Sequence, residues 1–166
     1  LGPYWSATGW PDNQGQVHHP SLGPGVTVSV FGLAERFARG IQGLDGLFIA
    51  VAREALDELQ FDEATFDGWD LYDLDFSFSA YLAGYSVAVR NDLLLRHAST
   101  GKETDARRQH AARFAEKHKA ALRGAGAPGP GGAVSIRFRS DDEWCRATEC
   151  IFDRPPGLPA NHSPLE

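Results

Sequence analysis

The stretch DGWDLYDLDFSFSAYLAGYSVAV, residues 67–89, constrains this chain more than any other. Leu74, Phe78, Tyr81 and Leu82 stand at i, i+4, i+7 and i+8, one apolar stripe, so a helix is expected to begin at Asp73. Gly84 follows where a left-handed C-terminal residue is wanted. Tyr85, Val87 and Val89 then alternate with Ser86, Ala88 and Arg90, the period of a strand. Four aspartates, Asp67, Asp70, Asp73 and Asp75, crowd the helix start among Trp69, Tyr72 and Phe76. The helix dipole favours acids there, but a terminus does not need four. On spacing alone they read either as a solvated cap or as the acidic centre of a site.

Around this stretch the pattern alternates. A short strand is expected at Val26–Val30 and one or two helical turns within FGLAERFARG (31–40). LDGLFIAV (44–51) is an apolar run suited to a strand buried on both faces. AREALDEL (52–59) holds helix formers, and FDEATFDGW (61–69) is a turn-rich connection. NDLLLRHAST (91–100) adds a short apolar run ending at His97. KETDARRQHAARFAEKHKAALRG (102–124) is a basic helix whose narrow apolar face includes Ala111, Phe114 and Leu122. GAGAPGPGG (124–132) is a flexible break, AVSIRFR a further strand, and a Pro-rich irregular end closes the chain. These elements predict an α/β protein with an open mixed sheet flanked by helices. Residues 1–123 form its main unit, 124–132 a Gly/Pro linker, and 133–166 an appended strand and irregular tail.

Bulk properties narrow the function classes. A net charge of −6 without a long Lys/Arg run argues against a nucleic-acid surface. No apolar run approaches the roughly 20 residues of a membrane helix, so no transmembrane segment is expected. LGPYWSATGW lacks the basic and apolar regions of a signal peptide. Cys145 and Cys150 make neither a disulfide framework nor a zinc site and read as reduced thiols of a cytoplasmic protein. A chain without methionine that starts at Leu1 reads as a piece of a longer product. His18 and His19, adjacent in QVHHP, read as a loop pair.

Asp73 and Asp75 flank Leu74, and residues i and i+2 of a helix point about 200° apart. If Leu74 faces the core, one carboxylate addresses a cavity at the helix terminus while the other caps or orients. An ionised carboxylate there is placed to take a proton from a hydroxyl nucleophile.

The series LDGLFIAVARE (44–54), FDEATFDGWDLYDLDFSFSAYLAGYSVAV (61–89) and the strand ending in His97 resembles bacterial family 2 type glycosyltransferases of the GT-A fold. The likeness covers residues 41–100 well and 15–120 loosely, with Gly15, Val17 and His19 corresponding loosely to a Gly-x-Val-x-His stretch. It implies that residues 1–123 are the C-terminal part of a GT-A domain. Asp73 would deprotonate the acceptor hydroxyl, and Asp75 would shape the acceptor pocket or orient Asp73. Asp45 and Gly46 would line the donor and acceptor cleft, with Trp69, Asp70 and Tyr72 as further substrate contacts. His97 would ligate a divalent cation, Mn²⁺ or Mg²⁺, that neutralises the diphosphate leaving group. The partners implied are a nucleotide-sugar donor and a glycan, lipid-linked or small hydroxyl acceptor, with inversion at the anomeric carbon. At Asp70 related sequences often carry a histidine, and the upstream nucleotide-binding half is not seen in this chain. Arg107, Arg108 and Arg113 read as a solvated helix face or as phosphate contacts. A non-catalytic remnant or carbohydrate-binding module of the same fold, and a metal-dependent hydrolase, are the competing expectations.

Overall fold

The computed structural model of the chain describes residues 15–19, 25–31, 36–91, 93, 95, 104–122 and 133–152. His97, the break at 124–132 and the end beyond residue 152 lie outside these residues. The described elements run in the order β1 (Gly15–His19), β2 (Val26–Phe31), β3 (Phe37–Arg39), α1 (Arg53–Leu56) and α2 (Tyr72–Leu82). Then come β4 (Ala88–Arg90), α3 (Asp105–Lys117), α4 (Lys119–Leu122), β5 (Ala133–Phe138) and α5 (Asp141–Phe152).

The fold is mixed α/β, and its described strands form two small antiparallel sheets rather than one open mixed sheet. In the first, β2 is central, pairing with β1 from Gly15↔Phe31 to His19↔Thr27 and with β5 from Val26↔Phe138 to Phe31↔Ala133. The strand over 133–138 is therefore laid directly against the expected strand at 26–30. Val26 and Val28, two apart and so on one face, are buried beneath Trp144 with Phe138 beside them. Trp144 belongs to α5, a helix where an irregular end was expected; Ser140 accepts a hydrogen bond from the Glu143 N–H at its start.

The second sheet pairs β3 with β4, Phe37↔Arg90 to Arg39↔Ala88. Part of the run expected to form helical turns at 31–40 is thus a strand. The strand after Gly84 forms but is short. Gly84 itself has φ +90°, the left-handed stop that its position after α2 called for.

Helix α2 is central. Leu74 and Phe78 join Phe66, Leu71, Phe114 and Leu122 in one apolar cluster, which joins α2 to α3 and α4. Ala80 joins Ala38, Ile41 and Val87 in another. The expected stripe holds only in its first half: Tyr81 and Leu82 are exposed, while Phe76 and Ala80 are buried. A helix packed on two sides buries more than one stripe. The basic helix is confirmed in its apolar face, with Phe114 fully buried and Ala111 packed on the cluster.

The strand expected at 44–51 does not form; Leu47, Phe48 and Val51 are exposed. The reason lies in its backbone. The Leu44 N–H donates to Ser77 Oγ at 2.8 Å and the Gly46 N–H to Asp73 Oδ2 at 2.5 Å, so two groups that a β-ladder would use are held by α2 side chains. Among the described residues no helix is long and apolar enough to cross a membrane.

Candidate active site

The helix basic in sequence is the counter-charge to the acidic cluster. Asp67 accepts from Arg113 at 2.7 Å and lies 3.1 Å from the buried His110 Nε2. Asp70 faces Arg107 at 3.5 Å. Asp75, only 1% exposed, sits 2.7 Å from His118 Nε2 and accepts from Lys117 Nζ at 2.8 Å. Lys117 also donates to Asp62 at 2.8 Å. These carboxylates tie the approach to α2 onto α3 and the residue that follows it. Arg113 beside Asp67, helped by His110, holds that carboxyl down at about 2. Lys117 holds Asp62 well below the ordinary carboxylate range.

Asp73 stands apart. Among the described residues it alone of the four acids in the cluster has no cationic partner. Its oxygens accept from backbone instead, Oδ1 from the Leu74 N–H at 2.8 Å and Oδ2 from Gly46. Burial pushes its carboxyl above the ordinary aspartate value, the two N–H groups pull it back, and the nearby Asp45 charge adds to the rise. Each carboxylate oxygen keeps a further lone pair. The result is a half-buried carboxylate, fixed by two bonds and more basic than in water.

Several local features hold it there. The residue before α2, Leu71, is buried with φ +63°, a left-handed conformation unusual for a side chain of this size. Such backbone costs about 1–3 kcal/mol and is concentrated at functional sites. The Leu71 carbonyl accepts the Asp75 N–H at 2.9 Å, which closes the first turn. Ser77, buried one turn on, donates to the Asp73 carbonyl at 2.7 Å while accepting from Leu44. Its hydroxyl couples the LDG loop to the same turn that carries Asp73. Ser77 was not singled out from sequence, although a serine four residues after the acid, inside an apolar helix, is a signal for such a bond.

The loop comes this close because of its glycines. A Cβ on Gly46 would meet Asp73 Oδ2 at 2.7 Å and Asp73 Cβ at 2.9 Å, and one on Gly43 would collide with Leu74 Cδ1. Gly46→Ala is therefore expected to lift the loop from α2, lowering stability by about 1–3 kcal/mol as overpacking does. A urea unfolding midpoint unchanged from that of the parent would show that the approach is not tight.

The expected residues divide clearly. Asp45, Gly46, Tyr72 and Asp73 come together: the Tyr72 hydroxyl is pushed up by burial and then by the Asp73 and Asp45 charges. Trp69 lies beside them, its ring 6.0 Å from Tyr72 and inclined by 24°. Asp70 and Asp75 point to α3. The role expected of Asp75, in the acceptor pocket or orienting Asp73, does not fit this geometry: both its oxygens are engaged by Lys117 and His118, on the opposite side of the turn from Asp73. The i, i+2 divergence separates the two acids as their spacing requires. Arg107 and Arg113 pair with Asp70 and Asp67, and Arg108 with Asp105, so they face carboxylates rather than standing open for phosphate.

His97 lies outside the described residues, and among those described no three His, Cys, Asp or Glu side chains come together to hold a metal ion. Cys145 is a free, half-buried thiol. No protein family, curated protein or solved structure matches the chain.

Proposed function

We propose that this chain is the acceptor-side part of an inverting glycosyltransferase of the GT-A type, with Asp73 as its general base. One observation carries the reading. The two sequence segments that bear the resemblance, LDG at 44–46 and YDLDFS at 72–77, meet at the Asp73 carboxylate through the Gly46 N–H. A capping aspartate has no need of a loop 27 residues away. The three neighbouring acids have cationic partners, which leaves Asp73 as the carboxylate available for proton transfer.

In the proposed reaction the acceptor oxygen attacks the anomeric carbon of a nucleotide-sugar. The bond from that carbon to the diphosphate oxygen breaks, and the hydroxyl proton passes to Asp73. The nucleoside diphosphate leaves with the bonding electron pair. Asp45, exposed at the lip of the loop, is placed to accept hydrogen bonds from sugar hydroxyls.

The test is nucleoside diphosphate release by the full-length protein from a panel of nucleotide-sugars, with and without hydroxyl acceptors, in Mn²⁺ or Mg²⁺. Release that requires the acceptor supports the transferase. Release at the same rate without acceptor points to a hydrolase, and no release from any donor overturns the catalytic reading.

The pH dependence has a defined sign. A base must be ionised, and the Asp73 carboxyl is raised above 3.8 by burial. Transfer is therefore expected to fall as pH drops through that raised value, so its acid limb lies above the ordinary aspartate range. A kcat/KM profile flat down to the ordinary aspartate value removes Asp73 from the role of base.

A further inference from the structure

Trp69 is 89% exposed, the barest of the large apolar side chains described, and it belongs to no core cluster. Tryptophan is highly buried on average, so an exposed one held in a fixed place asks for a reason. The loop that carries it is fastened on both sides. Asp67 is held by Arg113 and His110, Asp70 by Arg107, and Gly68 lies so close to α3 that a Cβ there would meet His110 Cε1 at 2.8 Å. The residues on either side of Trp69 are tethered to α3 while its ring stands out in solvent.

The ring is also oriented. It lies near-parallel to Tyr72, whose own ring packs 5.9 Å from Phe61, and Phe61 stacks at 4.4 Å on the buried Phe76. A ladder of rings thus leads from the core to an open indole face. At the Tyr72 end of the pair stand the carboxylates of Asp73 and Asp45, whose charges raise the Tyr72 hydroxyl. An aromatic face receives the C–H side of a pyranose, while carboxylates accept from its hydroxyls. That pairing disfavours the alternatives. A lipid chain has nothing to offer two carboxylates, and a phosphate group is repelled by them.

We infer that the Trp69–Tyr72 ring pair, edged by Asp45 and Asp73, is the docking platform for an oligosaccharide acceptor of two or more pyranose units. The inference rests on the transferase reading and narrows its acceptor class. The centroids of Trp69 and Tyr72 stand 6.0 Å apart, so a pyranose seated on one ring leaves the other for its neighbour in the chain. The unit over Tyr72 is the one whose hydroxyl reaches Asp73; the unit over Trp69 holds it in register.

The experiment reads binding without a donor, so that it stands independently of transfer. The protein is screened on an array of α- and β-linked gluco-, galacto-, manno- and N-acetylhexosamine oligomers of one to four units. Retained glycans are then titrated by calorimetry against the parent, Trp69→Ala and Trp69→Phe. Affinity is expected to rise at least about tenfold from one unit to three, to fall about tenfold in Trp69→Ala, and to recover largely in Trp69→Phe. The exposed position of Trp69 leaves the fold intact, which far-UV circular dichroism checks. Retention of no glycan, equal affinity for one unit and three, or indifference to Trp69→Ala each overturns the platform. Trp69-dependent self-association without glycan retention overturns it in favour of a protein contact. Length-dependent binding without transfer from any donor keeps the platform and sinks the transferase; transfer to a single sugar, unaffected by Trp69→Ala, does the reverse.

Discussion

Asp73→Asn is expected to abolish transfer while leaving donor affinity nearly unchanged. The amide has the size of the carboxylate and its one oxygen can still accept from the Gly46 N–H, which keeps the loop on α2, while its NH2 gives up the bond from the Leu74 N–H. What disappears is basicity. General-base catalysis contributes about 10²–10⁴-fold, and a loss of that order in kcat is the expected result. Because the base acts on the acceptor hydroxyl, calorimetric titration of the donor should barely register the change. Asp70→Asn provides the contrast: it releases Arg107 from an exposed ion pair of the kind worth about 0–1 kcal/mol, and should leave kcat within a small factor of the parent. A transferase that kept full activity as Asp73→Asn would falsify the assignment. Equal losses at Asp70 and Asp73 would mean that the cluster acts through its total charge rather than through one base.

The sequence carried the elements better than it carried the site. The stripe around Leu74 and Phe78 and the left-handed glycine at 84 are local signals, and α2 follows from them. The alternation at 134–138 and at 26–30 marked two strands, but not that they pair with each other, because pairing across more than a hundred residues leaves no trace in either one. LDGLFIAV misled for a related reason. Its apolar composition is that of a buried strand, yet the Leu44 and Gly46 N–H groups are taken by Ser77 and Asp73, 33 and 27 residues away. Apolarity records what a segment avoids, not which donors are already engaged.

The acidic cluster shows the same limit. Spacing said correctly that Asp73 and Asp75 diverge. It could not say that Asp67, Asp70 and Asp75 would each find a cation on α3, some 40 residues on. That helix looked basic and solvated; three of the four Arg and Lys side chains on α3 are instead the complement of the cluster. Only after those pairs are drawn does Asp73 emerge as the acid with backbone partners alone. The exposure of Trp69 was likewise invisible in composition, where a tryptophan beside a helix start reads as packing.

Asp75→Ala is expected to destabilise the fold by about 3 kcal/mol, the lower end of what breaking a buried ion pair costs. Lys117 keeps it at that end, because its side chain, 31% exposed, retains Asp62. What remains is a buried imidazole edge without its acceptor, in contact with Phe78 and Phe114 at ring distances of 4.9 and 4.7 Å. Urea unfolding should show the midpoint falling without a large change in slope. If the network is structural, as the full engagement of both Asp75 oxygens argues, a combined Asp75→Leu, Lys117→Met, His118→Leu variant should recover most of the loss, because apolar replacement of a whole buried pair is often neutral. Its folded population should then transfer sugar with a pH profile like that of the parent. A triple variant as stable as the parent but inactive would return Asp75 to the reaction itself, since nothing in its packing would then account for the missing activity.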